Sequence, residues 1–152
     1  MAGVKQLSDY ARLLEDIKTR IQAARARAVL AANRELIALY WDMGKMIVER
    51  QQQHGWGDAV IDRLSRDLRH AFPENKGFSR SNLFYMRQFY LTYKDADPIV
   101  QQLAGQIPWW HNVVMFSQVK DHQAREYYLR ACIEHGWSRA VLVHQSREEE
   151  SL

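Results

Sequence analysis

From Leu7 onward, apolar residues recur at alternating steps of three and four: Leu7, Tyr10, Leu14, Ile17, Ile21, Ala24 and Ala28. A period of about 3.5 is a helical stripe and resembles a coiled-coil seam. Ser8 or Asp9 is placed to cap it, and no proline intervenes before Gln53. The small Ala24, Ala28 and Ala31 suit close approach of another helix. Less regularly, Leu36, Leu39, Tyr40, Met43 and Ile47 carry the stripe on. Two readings stay open for residues 1–53: one long helix, or two helices that break near Asn33 and fold back as a hairpin. At about 1.5 Å per residue, a single helix outreaches a small domain. Its apolar face would then meet a second chain or a further domain, whereas a hairpin buries it within a monomeric bundle.

The pattern is interrupted at His54-Gly55-Trp56-Gly57, after which Asp58 is positioned to cap a helix carrying Val60, Ile61, Leu64, Leu68 and Phe72. Pro73 to Gly77 ends it. Ser79 then caps a helix with Leu83, Met86, Phe89 and Tyr90 on one side. Asp97-Pro98 starts a short helix ending near Gly105, Pro108 opens another through Trp109, Val113 and Phe116, and Asp121 begins a third that Gly136 terminates. Ser138 caps a last helix through Leu142 and Gln145. Val113 to Phe116 is the nearest approach to a strand. Gly77-Phe78-Ser79-Arg80-Ser81-Asn82-Leu83 is echoed by Gly136-Trp137-Ser138-Arg139-Ala140-Val141-Leu142, either as an internal repeat or as the common grammar of a stapled helix start. The expected fold class is all-α: long N-terminal helices, a central helix-turn-helix over 54–94, a C-terminal helical cluster over 95–147 and an acidic tail over 148–152. All of it is expected to form one domain, 1–152.

Composition narrows the function classes. A chain of 152 residues with 47% hydrophobic and 26% charged residues suits one soluble domain. Cys132, the sole cysteine, excludes an intrachain disulfide and a multi-cysteine zinc site, and a reducing cytoplasmic setting fits. Charged residues interrupt every apolar run, so neither a membrane span nor a secretion signal is expected. The net charge of +3 is uneven: residues 1–40 and 54–94 are basic, and residues 95–152 are acidic and close on Glu148-Glu149-Glu150.

The central segment carries the candidate chemistry. Ser79, Arg80, Ser81, Asn82, Tyr85, Arg87 and Gln88 lie off the apolar stripe of their helix or at its margin. A recognition helix needs polar and basic residues there for base edges and phosphates. Arg63, Arg66 and Arg69, at steps of three, together with Lys76 in the turn, could grip phosphates. Because Asp58, Asp62 and Asp67 are interleaved with them, surface ion pairs in a purely structural hairpin are the competing reading, and a protein-binding surface is a third. The six histidines include no pair three or four apart, so no metal or cofactor is expected. Cys132 reads as a small core residue. Glu74-Asn75-Lys76 spells the Glu-x-Lys of metal nucleases but falls in a turn, where that chemistry lacks a rigid strand. Trp109, Trp110 and Trp137 read as staples or core plugs ahead of base-stacking platforms.

Several longer motifs carry a resemblance: Leu39-Tyr40-Trp41-Asp42-Met43-Gly44, Gly77 through Phe89, Ile107-Pro108-Trp109-Trp110-His111-Asn112, and Tyr127-Tyr128-Leu129 running to Gly136-Trp137-Ser138-Arg139. From about Leu14 to Gln145 the chain resembles the N-terminal domain of the YhcG family, bacterial proteins whose C-terminal domain looks like a PD-(D/E)xK nuclease. The resemblance implies a helical domain that binds DNA and delivers a nuclease, in proteins of mobile or defence-related DNA metabolism. The nuclease half lies beyond the matched motifs, so no catalysis is carried over. Two expectations follow. In the first, a non-catalytic domain binds duplex DNA through Arg63, Arg66, Arg69, Lys76, Ser79, Arg80, Ser81, Asn82, Tyr85 and Arg87. In the second, an interaction module forms a homodimer through Leu7, Leu14, Ile17, Ile21, Ala24 and Ala28 and docks a nuclease partner without touching DNA.

Overall fold

The computed structural model describes the backbone of residues 2–150 and the side-chain surroundings of residues 8–148. Among the described residues there are seven helices and no strand: α1 (Ala2–His54), α2 (Ala59–Ala71), α3 (Arg80–Tyr93), α4 (Pro98–Ala104), α5 (Trp109–Gln118), α6 (His122–His135) and α7 (Arg139–Glu150). The chain divides into two units, Met1–Ala32 and Asn33–Leu152. In the first, every side chain from Ser8 to Ala32 is exposed. The second holds the core.

Of the two readings of the N-terminal stripe, the single long helix is the one observed. Asn33, where the hairpin reading put a break, sends its side-chain amide 3.0 Å to the Ile107 carbonyl instead of competing for its own backbone. Later in α1, Ile37, Tyr40, Ile47 and Val48 are buried, and Gly44 faces α3. A Cβ on Gly44 would collide with the Met86 carbonyl, so only glycine lets the two helices come this close.

Helix α5 is the centre of the core, with Trp109 and Asn112 through Phe116 all buried. A run apolar on every side is a buried helix here, which is why Val113 to Phe116 also looked strand-like. Helices α3, α6 and α7 pack on α5, α2 packs on α3, and α4 packs on α6. The helix starts follow the sequence closely. Ser79 accepts from the Asn82 amide, Asp97 from Ile99, Asp121 from Ala124 and Ser138 from Val141. Gly136 ends α6 at a φ of +61°, in the left-handed region that glycine reaches freely. Ser8 and Asp9, read as caps, instead lie inside α1, which begins at Ala2, and Asp58 is the other exception. Its backbone is already helical and its carboxylate makes no cap, because Arg87 and Gln51 engage it. The last helix also runs further than expected, to Glu150, into the segment read as a tail.

Asn82 overturns its expected place on the outer face of α3. It is only 4% exposed, and both ends of its amide are used. Oδ1 accepts from Trp109 Nε1 at 2.7 Å, and Nδ2 donates to the Gly77 carbonyl at 2.6 Å. Tyr40 also hydrogen bonds to Asn82, although burial outweighs that bond and raises the phenol pKa. Tyr40 packs edge-on against Trp109 with centroids 4.8 Å apart. One amide thus ties α1, the α2–α3 loop, α3 and α5 together.

Two stability predictions follow. Gly44→Ala gains about 1 kcal/mol of helix propensity, but the collision is with backbone that cannot rotate away, and overpacking of that kind costs about 1–3 kcal/mol or more. A fall in melting temperature of a few degrees by calorimetry is expected, and an unchanged or raised value would refute the close approach. Asn82→Ala leaves a buried indole N–H and a carbonyl unpaired, at about 1–3 kcal/mol each. Urea unfolding should show a loss of about 2–4 kcal/mol, while exposed Ser81→Ala stays within about 0.5 kcal/mol.

Candidate nucleic-acid interface

Helices α2 and α3 are joined by residues 72–79, whose turn is organised by the Asn75 carboxamide accepting from the Gly77 amide at 2.8 Å. Phe78 is buried beneath it, and its carbonyl accepts from the buried Ser65 hydroxyl of α2 at 2.7 Å. Phe78 and Leu83 flank the Ser79 cap as a hydrophobic staple, as Trp137 and Leu142 flank Ser138. The two echoed segments are therefore equivalent helix starts.

The cations of α3 are committed to the hairpin. Arg80 pairs with Asp62, and Arg87 Nη1 lies 2.9 Å from the Asp58 carboxylate and 3.1 Å from Gln51 Oε1. Both guanidiniums also lie over the Phe84 ring, 4.7 and 4.6 Å from its centroid. The hydrogen bond from Arg87 holds the Asp58 carboxyl below its ordinary range. Asp58 and Asp62, at the start of α2, thus clamp α3 instead of neutralising their own helix. Only Arg63 pairs within α2, loosely, 3.9 Å from Asp67.

Arg66, Arg69 and Lys76 are exposed and form no ion pair among the described residues. Arg69 Nε donates to the Ser65 carbonyl at 3.3 Å and keeps its charge uncompensated. Ser79 and Ser81 are exposed, the former occupied as a cap. Tyr85 is half-buried between Trp110 and Phe116, and the Gln88 amide reaches the Phe116 carbonyl. Of the residues expected to meet DNA, Arg66, Arg69 and Lys76 stay exposed on α2 and its loop, Asn82 is buried, and Arg80 and Arg87 are engaged by Asp62 and Asp58, Arg80 in an exposed pair.

The other candidates are placed as follows. Glu74 and Lys76 lie exposed in the loop, away from any rigid strand. Cys132 is buried, and burial pushes its thiol up to about 11. Trp109 is a core plug, whereas Trp110 is about half exposed. Among the described residues no helix is long and apolar enough to cross a membrane.

No solved structure matches the chain significantly. It is similar to the Escherichia coli (strain K12) protein named "Putative nuclease YhcG", 28% identical over 168 aligned positions that cover 90% of this chain and 44% of that protein. The chain therefore spans less than half the length of that relative. The pattern of the DUF1016 N-terminal domain matches residues 16–150, which include the Gly44 contact, the Asn82 hub and all of α2 to α7. On that match, the chain belongs to the DUF1016 N-terminal domain family.

Proposed function

We propose that this domain is a non-catalytic DNA-binding module that grips the duplex by its phosphate backbone. The observation that supports this reading is the cationic edge of Arg66, Arg69 and Lys76, exposed and without acidic partners, with Arg63 one turn before Arg66. Phosphate contacts carry affinity without sequence information. Base readout has few donors left on α3, because Asn82 is buried and Arg80 and Arg87 are held by Asp62 and Asp58. The preferred partner is thus duplex DNA of any sequence, with Ser81 as the exposed polar side chain in the first turn of α3. Similarity to a protein named as a nuclease agrees with a role in holding DNA for a nuclease domain.

The test is fluorescence anisotropy with two unrelated duplexes over a salt series. The two should bind alike. Each neutralised phosphate steepens the dependence of log affinity on log salt by about 0.9, so Arg66→Ala with Arg69→Ala and Lys76→Ala should flatten the slope by about 2–3 and weaken binding at least about tenfold. Unchanged affinity in a folded triple variant, or strong preference for one duplex, would overturn the reading.

A further inference from the structure

Helix α1 carries a second surface that the DNA reading leaves unused. Between Ser8 and Ala32 the seam of Tyr10, Leu14, Ile17, Ile21, Ala24, Ala28 and Ala31 is exposed along its whole length, with Tyr10 at 63%, Ile17 at 47% and Ile21 at 46%. Leu7, also assigned to this seam, lies outside the residues whose side chains are described. An apolar stripe this regular on a helix is a docking face.

The residues beside the seam identify what fits it. In a two-helix seam, partner choice is set by the flanking e and g positions. Here Lys18 and Arg25 flank one side and Arg20 and Arg27 the other, and neither flank carries an acid in this stretch. The nearby acids, Glu15 and Asp16, sit further round the helix, where Glu15 takes Lys18 at 3.4 Å. A second copy of this chain is a poor occupant in either orientation. Parallel pairing sets one flank against the other, antiparallel pairing sets each flank against itself, and every such pairing brings cations together. An anionic lipid surface would satisfy the charges, but Ala24, Ala28 and Ala31 offer it little to bury. Those small residues instead let a helix backbone approach closely.

We infer that the α1 seam docks an amphipathic helix of a partner protein, with apolar residues facing Leu14, Ile17 and Ile21 and acidic residues facing Lys18, Arg20, Arg25 and Arg27. This surface is independent of the α2 edge, and the experiment keeps the two separate.

The intact chain is first run in sedimentation equilibrium and is expected to be monomeric. It is then titrated with two labelled helical peptides of about three heptads, both with leucine at the seam positions, one with glutamate flanks and one with lysine flanks. The glutamate peptide should bind at least about tenfold more tightly, weaken at about 0.5 M salt, and lose its site in Ile17→Asp with Ile21→Asp. These substitutions are at exposed positions, so that variant should still unfold cooperatively and still bind duplex DNA, and the α2 triple variant should still bind the peptide. Equal binding of both peptides, or binding of neither, overturns the proposal. So does a dimer of the intact chain that Ile17→Asp with Ile21→Asp abolishes, which would make a second copy the occupant. Stronger retention by anionic vesicles than by the glutamate peptide would assign the face to a lipid surface.

Discussion

The side-chain amide of Asn82 is the point on which the helices around α3 depend. A buried amide must find partners for both its ends, and it finds them on the indole of Trp109 and the carbonyl of Gly77. Those partners lie on different elements, so satisfying one residue sets the start of α5 against α3 and pins the α2–α3 turn. Tyr40 joins from α1 through the same amide and through its edge-to-face contact with Trp109. Apolar packing alone tolerates sliding. Two short hydrogen bonds at the junction do not, and the close passage of Gly44 by Met86 leaves equally little freedom.

On the proposed reading, this constraint leaves α3 few free groups for bases. The amide suited to adenine is spent inside, and the guanidiniums at Arg80 and Arg87 are drawn onto Phe84 and towards the carboxylates that begin α2. Exposed ion pairs contribute little stability individually. Two of them combined with a shared aromatic ring give α3 a defined orientation against α2. On the same reading, a polyanion would meet charge of the opposite kind, exposed and without an ion-pair partner among the described residues.

Much of the architecture was legible in the sequence, because helix starts and stops are local chemistry. Ser79, Asp97, Asp121 and Ser138 cap as expected, and Gly136 terminates α6. Two of the departures fall where a side chain has a distant partner. Asp58 looked like a cap, and Arg87 from the next helix claims it. Asn82 looked like a margin residue, yet it stands at steps of four, three and four from Met86, Phe89 and Tyr93, all buried. That register was a readable sign that Asn82 belongs to the inner face. The spacing of Asp58 and Asp62 by one turn, against Arg80 and Arg87 by two, was a weaker sign, since nothing in one helix reveals which way its neighbour runs.

The same residue types serve two ends in this chain, and apolar context decides which. On α2, Arg66 and Arg69 stand on a helix whose apolar residues, Ile61 among them, already face the core, so their charge is the whole of what the edge offers. A phosphate backbone asks for no more than that. On α1, Lys18, Arg20, Arg25 and Arg27 border exposed leucine and isoleucine, and a hydrated phosphate gains nothing from covering those side chains. An occupant that relieves the apolar stripe while answering the charges must itself be amphipathic. On the proposed docking, the cationic flanks would act chiefly by excluding wrong partners, because like charges across a seam oppose each mispairing while the apolar contacts supply the affinity.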